Sequence, residues 1–155
     1  MHLPHRLIQN AYLVADIDEA IERWHRLWGL GPFFVRRHIA LPLVRYRGAP
    51  STLDISAVYV QAGPIQVELV QQHCSAPSAF RDMAAAGQHG LHHVAVIPHD
   101  HDAVVAHYAA QGFPVLTELR TASGRGASFI DTRPLLGHMV AVSYTHLTLP
   151  TKRIV

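Results

Sequence analysis

Gln9, Glu68 and His93 are the residues whose chemistry would matter most if they met: an amide oxygen, a carboxylate and an imidazole, a donor set for a divalent metal. Singly, each is ordinary. Glu68 lies in IQVELV, where strand alternation sends Ile65, Val67 and Leu69 to one face and Gln66, Glu68 and Val70 to the other. By itself it reads as a solvent-facing residue. Gln9 is a polar residue near the start of a strand. His93 follows His92, and alternation places one imidazole on each side of the sheet.

The spacing gives them a common meaning. LIQNAYLVADIDEAIERW, from Leu7, aligns with GLHHVAVIPHDHDAVVAHY, from Gly90, with Gln9 on His93, Asp16 on Asp100, Asp18 on Asp102 and Trp24 on Tyr108, each pair 84 positions apart. Each copy opens with a strand (Leu7 to Val14; Leu91 to Ile97) and then offers an aspartate as helix N-cap. The first helix carries the stripe Ile17, Ala20, Ile21, Trp24, Leu27 and Trp28, expected to be core, and ends at Gly29 and Gly31. The second carries Val104, Val105 and Tyr108 and stops at Gly112.

Three strands are expected after each helix: Phe33 to His38, Leu53 to Gln61 and Ile65 to Gln71, then Pro114 to Thr121, Ala127 to Asp131 and His138 to Val142. The fold class is therefore α+β, two β-α-β-β-β modules paired into an open, cupped mixed sheet. Residues 1–74 form the first module, 75–89 a linker with a short helix capped by Ser75 or Ser78, and 90–142 the second module. Arg37 to Thr52, punctuated by Pro42, Gly48 and Pro50, is expected to be a loop over the sheet. SGRG at 123–126 reads as a hairpin turn. Pairing the modules about a pseudo-twofold brings Gln9, Glu68 and His93 to one concave surface. Aligning VELV with VAVS puts Ala141 at the fourth, blank position.

Bulk properties narrow the function classes. With 49% hydrophobic and 15% charged residues the chain folds around a real core. The formal charge is only +2 and the basic residues are scattered, so nucleic acid is not the expected partner. Cys74 is the single cysteine, which excludes an internal disulfide and any CxxC motif. The stretch MHLPHRLIQN lacks the charged-then-apolar pattern of a signal peptide and no apolar run reaches membrane length, so a cytoplasmic location away from membranes is expected. Most of the thirteen histidines fall in loops or at helix ends.

The doubled pattern, with Gln9, VELV around Glu68, GLHHVAV around His93 and FIDTRPLLGHMV from Phe129, resembles the vicinal oxygen chelate superfamily, most closely its glyoxalase and epimerase branch. The resemblance covers residues 7–142 and implies a divalent metal (Zn, Ni, Co, Mn or Fe) held by one residue from each of four strands, with Gln9, Glu68 and His93 in the first three places. Ala141 departs from the glutamate expected in the fourth. The implied activity is that of a lyase or isomerase: a carboxylate removes a proton next to a carbonyl, and the metal stabilises the enediolate. Glu68 is then ligand and base, with a small-molecule substrate and a possible homodimer. The alternative is a metal-free protein of the same fold that sequesters an aromatic or amphipathic compound, with Phe33, Phe34, Tyr46 and Tyr59 lining the cleft. Extradiol oxygen chemistry, which uses two histidines and a carboxylate, fits less well, because Gln9 stands where a histidine is expected.

The ending, GHMVAVSYTHLTLPTKRIV, bears on that fourth place. VSYTHLTLPT is the one-frame translation of a transposase adapter used in sequencing libraries, and the adapter's first two bases after a G complete an alanine codon. Glutamate codons also begin with G. Ala141 is therefore read as a truncated glutamate codon and residues 143–155 as a non-native tail. Amplification of the gene from its source DNA tests this, since a native frame running through SYTHLTLPT ends the reading.

Overall fold

The computed structural model describes residues 5–144. The expected tail lies outside the described residues from 145 onward. The first module runs β1 (His5–Leu13), α1 (Ile17–Trp28), β2 (Phe34–Arg36), β3 (Leu43–Tyr46), β4 (Ala49–Pro50), β5 (Ile55–Ala62) and β6 (Ile65–Gln72). After α2 (Ala79–Met83), the second runs β7 (Gly90–Pro98), α3 (His101–Ala110), β8 (Val115–Arg120), β9 (Gly126–Ile130), α4 (Arg133–Leu136) and β10 (Met139–Ser143).

The caps are those the sequence offers. Asp16 accepts from the Asp18 and Glu19 amides at the start of α1, and Gly29 ends that helix in the left-handed region at φ 66. Ser78 caps α2 and Asp100 caps α3. At the β8–β9 hairpin only glycine fits at 126: its φ is +154, and a Cβ there would lie 1.9 Å from the Leu119 carbonyl oxygen.

Among the described residues the strands form one mixed, curled, open sheet in the order β2-β5-β6-β1-β7-β10-β9-β8-β3-β4. The two module-opening strands, β1 and β7, lie antiparallel at its centre, flanked by β6 and β10, each parallel to its own opener. Alternation then sorts the side chains into layers. Val58, Val60, Val67 and Leu69 face α1, and Val96, Ile130, Val140 and Val142 form the core beneath α3. The opposite face, with Ile55, Val70, Ala95, Phe129 and Ala141, forms a third core that Phe80 of α2 joins.

Three expectations are corrected. Arg37 to Thr52 is not purely loop: it holds β3 and β4, and β3 pairs with β8 at the far edge of the sheet from β2. The segment is thus a strap from one edge to the other, and its Ile39 and Leu41 pack on the inner core. The stripe of α1 is core only over its first half, since Leu27 and Trp28 are each 69% exposed, while Trp24 packs against the sheet-facing cluster and Tyr12. The second module's last strand extends one residue beyond 142, to Ser143, and the Tyr144 ring stacks on His101 with centroids 3.8 Å apart. No helix among the described residues is long and apolar enough to cross a membrane.

Candidate metal and acid–base site in the sheet cup

The inner face of the curled sheet encloses a cavity of roughly 770 Å³, open on one side and lined by Gln9, Glu68, His93 and Ala141. The face that alternation assigned to Glu68 is therefore the inside of a cup, and its side chain is only 14% exposed. Strand register explains the convergence. Glu68 on β6 sits opposite Ala11 of β1, and Ala141 on β10 sits opposite Ala95 of β7. Ala11 and Ala95 are themselves equivalent in the repeat, so Glu68 and Ala141 occupy the same rung of their two ladders. Ala141 brings no donor atom to that rung.

The expectation that His92 and His93 face opposite sides is wrong. Ala11 pairs with His93 and Tyr12 with Leu91, which leaves His92 as the extra residue of a β-bulge. The same irregularity occurs on the other module: Leu7 pairs with Val96 and Gln9 with Ala95, leaving Ile8 extra. Each module thus bulges at the residue just before its candidate ligand. The bulge brings the two imidazoles together, with His92 Nδ1 and His93 Nδ1 2.7 Å apart.

That contact fixes which nitrogen of His93 is free. Burial, and then the neighbouring His93, push the His92 pKa down to about 3, so His92 is neutral. Its Nε2–H donates to the Ala79 carbonyl at 3.0 Å, because a carbonyl can only accept. His92 Nδ1 must then accept, and His93 Nδ1–H donates to it. His93 Nε2 is left facing Glu68 Oε2 at 3.4 Å. On a neutral His93 these are two acceptors pointing at one another, an arrangement that suits a cation between them, whether proton or metal. Gln9 is prepared similarly: its Nε2–H donates to the Gln66 side-chain oxygen, so its own Oε1 is not used in that bond. Neither His92 nor Gln66 stood out in the sequence as a holding partner. The adjacent histidines and the shared face of Gln66 and Glu68 were the available signals.

The walls differ from the sequence expectation. Of the four aromatics proposed, Tyr59 alone lines the cavity. Its hydroxyl is driven to a higher pKa, by burial first and then by the charge of Glu68, and remains a proton donor. Phe33 packs with the α1 cluster on the other side of the sheet. Phe34 lies on the edge strand β2 opposite Tyr59 and does not line the cavity. The Tyr46 hydroxyl is engaged by both oxygens of Asp82 at 2.9 Å. The apolar wall is built from Ile39, Leu41, Phe80, Leu119 and Phe129, with Arg36 and Arg125 also lining the cavity. The strap and the linker helix supply three of those five apolar residues, which no local pattern marks.

The donor set fits a divalent metal in three of its four places: carboxylate, imidazole nitrogen with its other N–H held by an outer partner, and amide oxygen. Compared with known proteins, the chain matches the family described as Glyoxalase/Bleomycin resistance protein/Dioxygenase superfamily over residues 8–130. Among solved structures, a hypothetical protein from Bacillus halodurans superposes with a TM-score of 0.62 at 14% identity, covering 95% of this chain and 99% of that one. Methylmalonyl-CoA epimerase from Mycobacterium tuberculosis gives 0.55 at 20% identity, covering 88% and 85%. The Streptomyces coelicolor methylmalonyl-CoA epimerase in complex with 2-nitronate-propionyl-CoA gives 0.58 at 17%, covering 92% and 97%. At these identities the likeness is one of fold. Comparison with curated proteins gives no match.

Proposed function

The chain belongs to the glyoxalase/bleomycin resistance/dioxygenase superfamily, and from that premise we propose that it is a metal-dependent lyase or isomerase acting next to a carbonyl of a small substrate in the cup. Glu68 is the base that takes the proton, and Gln9, Glu68 and His93 hold the metal. The metal, when bound, supplies Lewis-acid stabilisation of the negative charge that develops on the substrate oxygen. His92 keeps the His93 Nε2 lone pair turned inward, and Gln66 orients the Gln9 amide. Tyr59, kept protonated, donates a hydrogen bond to Glu68 or to a substrate oxygen. Arg36 and Arg125 favour a substrate with an anionic group, and the apolar wall excludes water from its body.

The observation that carries this reading is the pairing of Glu68 Oε2 with His93 Nε2 at 3.4 Å inside the cavity. Several epimerase neighbours are in complex with methylmalonyl-CoA or 2-nitronate-propionyl-CoA, which supports testing acyl-CoA beside glutathione hemithioacetals as a substrate class. The test is solvent-deuterium exchange at the carbon next to the carbonyl, with protein reloaded in turn with Zn, Ni, Co, Mn and Fe. Exchange is expected, with Glu68→Gln slower by about 100-fold or more.

A second reading, metal-free sequestration of an amphipathic compound, is favoured by one feature: the apolar wall of Ile39, Leu41, Phe80, Leu119 and Phe129. It predicts no exchange with any metal, together with ligand binding that chelator treatment leaves unchanged.

A further inference from the structure

We propose that His38, Asp54 and His73 form a second divalent-metal site, outside the cup and independent of Gln9, Glu68 and His93. One ligand atom from each of these three residues lies within 4.8 Å of the others. They come from three different segments: His38 follows β2, Asp54 precedes β5 and His73 follows β6. Backbone hydrogen bonds, rather than the side chains themselves, hold those segments in place. The His73 amide donates to the Asp54 carbonyl at 2.8 Å, and the Ile39 amide to the Ile55 carbonyl at 2.8 Å.

The side chains are already oriented toward one another. His38 Nδ1 is 2.7 Å from Asp54 Oδ1, and the two imidazoles stack with centroids 4.3 Å apart. Buried Ser56 serves both histidines, accepting from the His38 amide at 3.0 Å with its Oγ 2.7 Å from His73 Nε2. Two imidazole nitrogens and one carboxylate oxygen are the ligands of an open Zn-type site. With metal–ligand bonds of about 2.1 Å, tetrahedral ligand atoms stand about 3.4 Å apart. The half-exposed side chains of His38 and Asp54, at 64% and 44%, can reach that spacing by small rotations.

The position gives the site a role. His38 stands at the root of the strap, and the next residue, Ile39, lines the cavity, as does Ile55 after Asp54. A metal here would tie the strap to the β5–β6 edge and hold the cavity wall closed.

The experiment is equilibrium dialysis against Zn²⁺ on a Glu68→Gln/His93→Gln background, which removes the inner ligands. That variant is expected to bind one Zn²⁺ per chain more than the same variant carrying His73→Ala, and Ser56→Ala is expected to weaken this ion's binding about tenfold. Zn²⁺ is also expected to protect residues 37–52 from limited proteolysis, and Asp54→Asn, which leaves the imidazoles in place, to remove the protection. Far-UV circular dichroism verifies that each variant is folded. Equal Zn²⁺ content with and without His73→Ala overturns the proposal and leaves a surface hydrogen-bonded cluster. It does so without touching the reading of the cup, which is tested by deuterium exchange in the unsubstituted protein.

Discussion

A single methyl group stands at the fourth place of the proposed metal site. Ala141 is 2% exposed, lines the cavity and shares its rung with Glu68, so a carboxylate introduced there points into open space beside the other donors. Ala141→Glu is expected to raise divalent-metal affinity by about tenfold or more, measured by competition with a chelating dye. Equal metal content by elemental analysis in both proteins would contradict it. His92 acts one step further out. His92→Phe retains a ring against Phe80 and Phe129 but removes the acceptor that orients His93, and it is expected to weaken metal binding by about 10- to 100-fold while the protein stays folded. An affinity equal to that of the parent would show that the His92–His93 contact does no positioning.

Among the elements, α4 was not foreseen, and its first residue acts as a clamp. Arg133 Nε and Nη2 bond the two oxygens of Asp131 at 2.8 and 2.9 Å, and its Nη1 bonds the Asp82 carbonyl, tying the end of β9 to α2. The hydrogen bonds from Arg133 hold the Asp131 carboxyl below its ordinary pKa of 3.8. A carboxyl depressed in the folded state adds stability that is complete above the unfolded value and is lost as pH falls through the folded one. Asp131→Asn should therefore cost about 1–2 kcal/mol at neutral pH, and the two proteins should converge in urea melts as pH falls through the lowered folded-state value. A constant difference at every pH would remove the clamp's ionic character. The linker helix matters to the site for the same reason: its Ala79 carbonyl receives His92, and its Phe80 closes the cavity wall.

On the scale of the whole molecule, Gln9, Glu68 and His93 meet within one chain, because β1 and β7 pair with each other. Metal affinity per chain is accordingly expected to stay constant on dilution from about 100 to about 1 μM, a range over which a typical weak dimer dissociates. Loss of metal on dilution, followed by sedimentation velocity, would place part of the site on a second copy. The strap reinforces this closure by joining the sheet's first and last long strands through β3 and β8.

The sequence by itself determined the repeat, its helices and their caps, and which residues of β6 share a face. All of these follow from periodicity and from one fixed offset, which are local properties of the chain. It placed His92 on the wrong face, read the strap as a loop and chose three aromatics that do not line the cavity. Only the tertiary structure decided those points. A bulge exists only relative to the strand it pairs with, the strap becomes β3 only where the β8 edge is exposed to receive it, and a cavity wall is assembled from residues distant in sequence. Between bulges, the side of the sheet a residue faces is written in alternation, whereas the bulges themselves, and what lies opposite each residue, are fixed when the two modules close on one another.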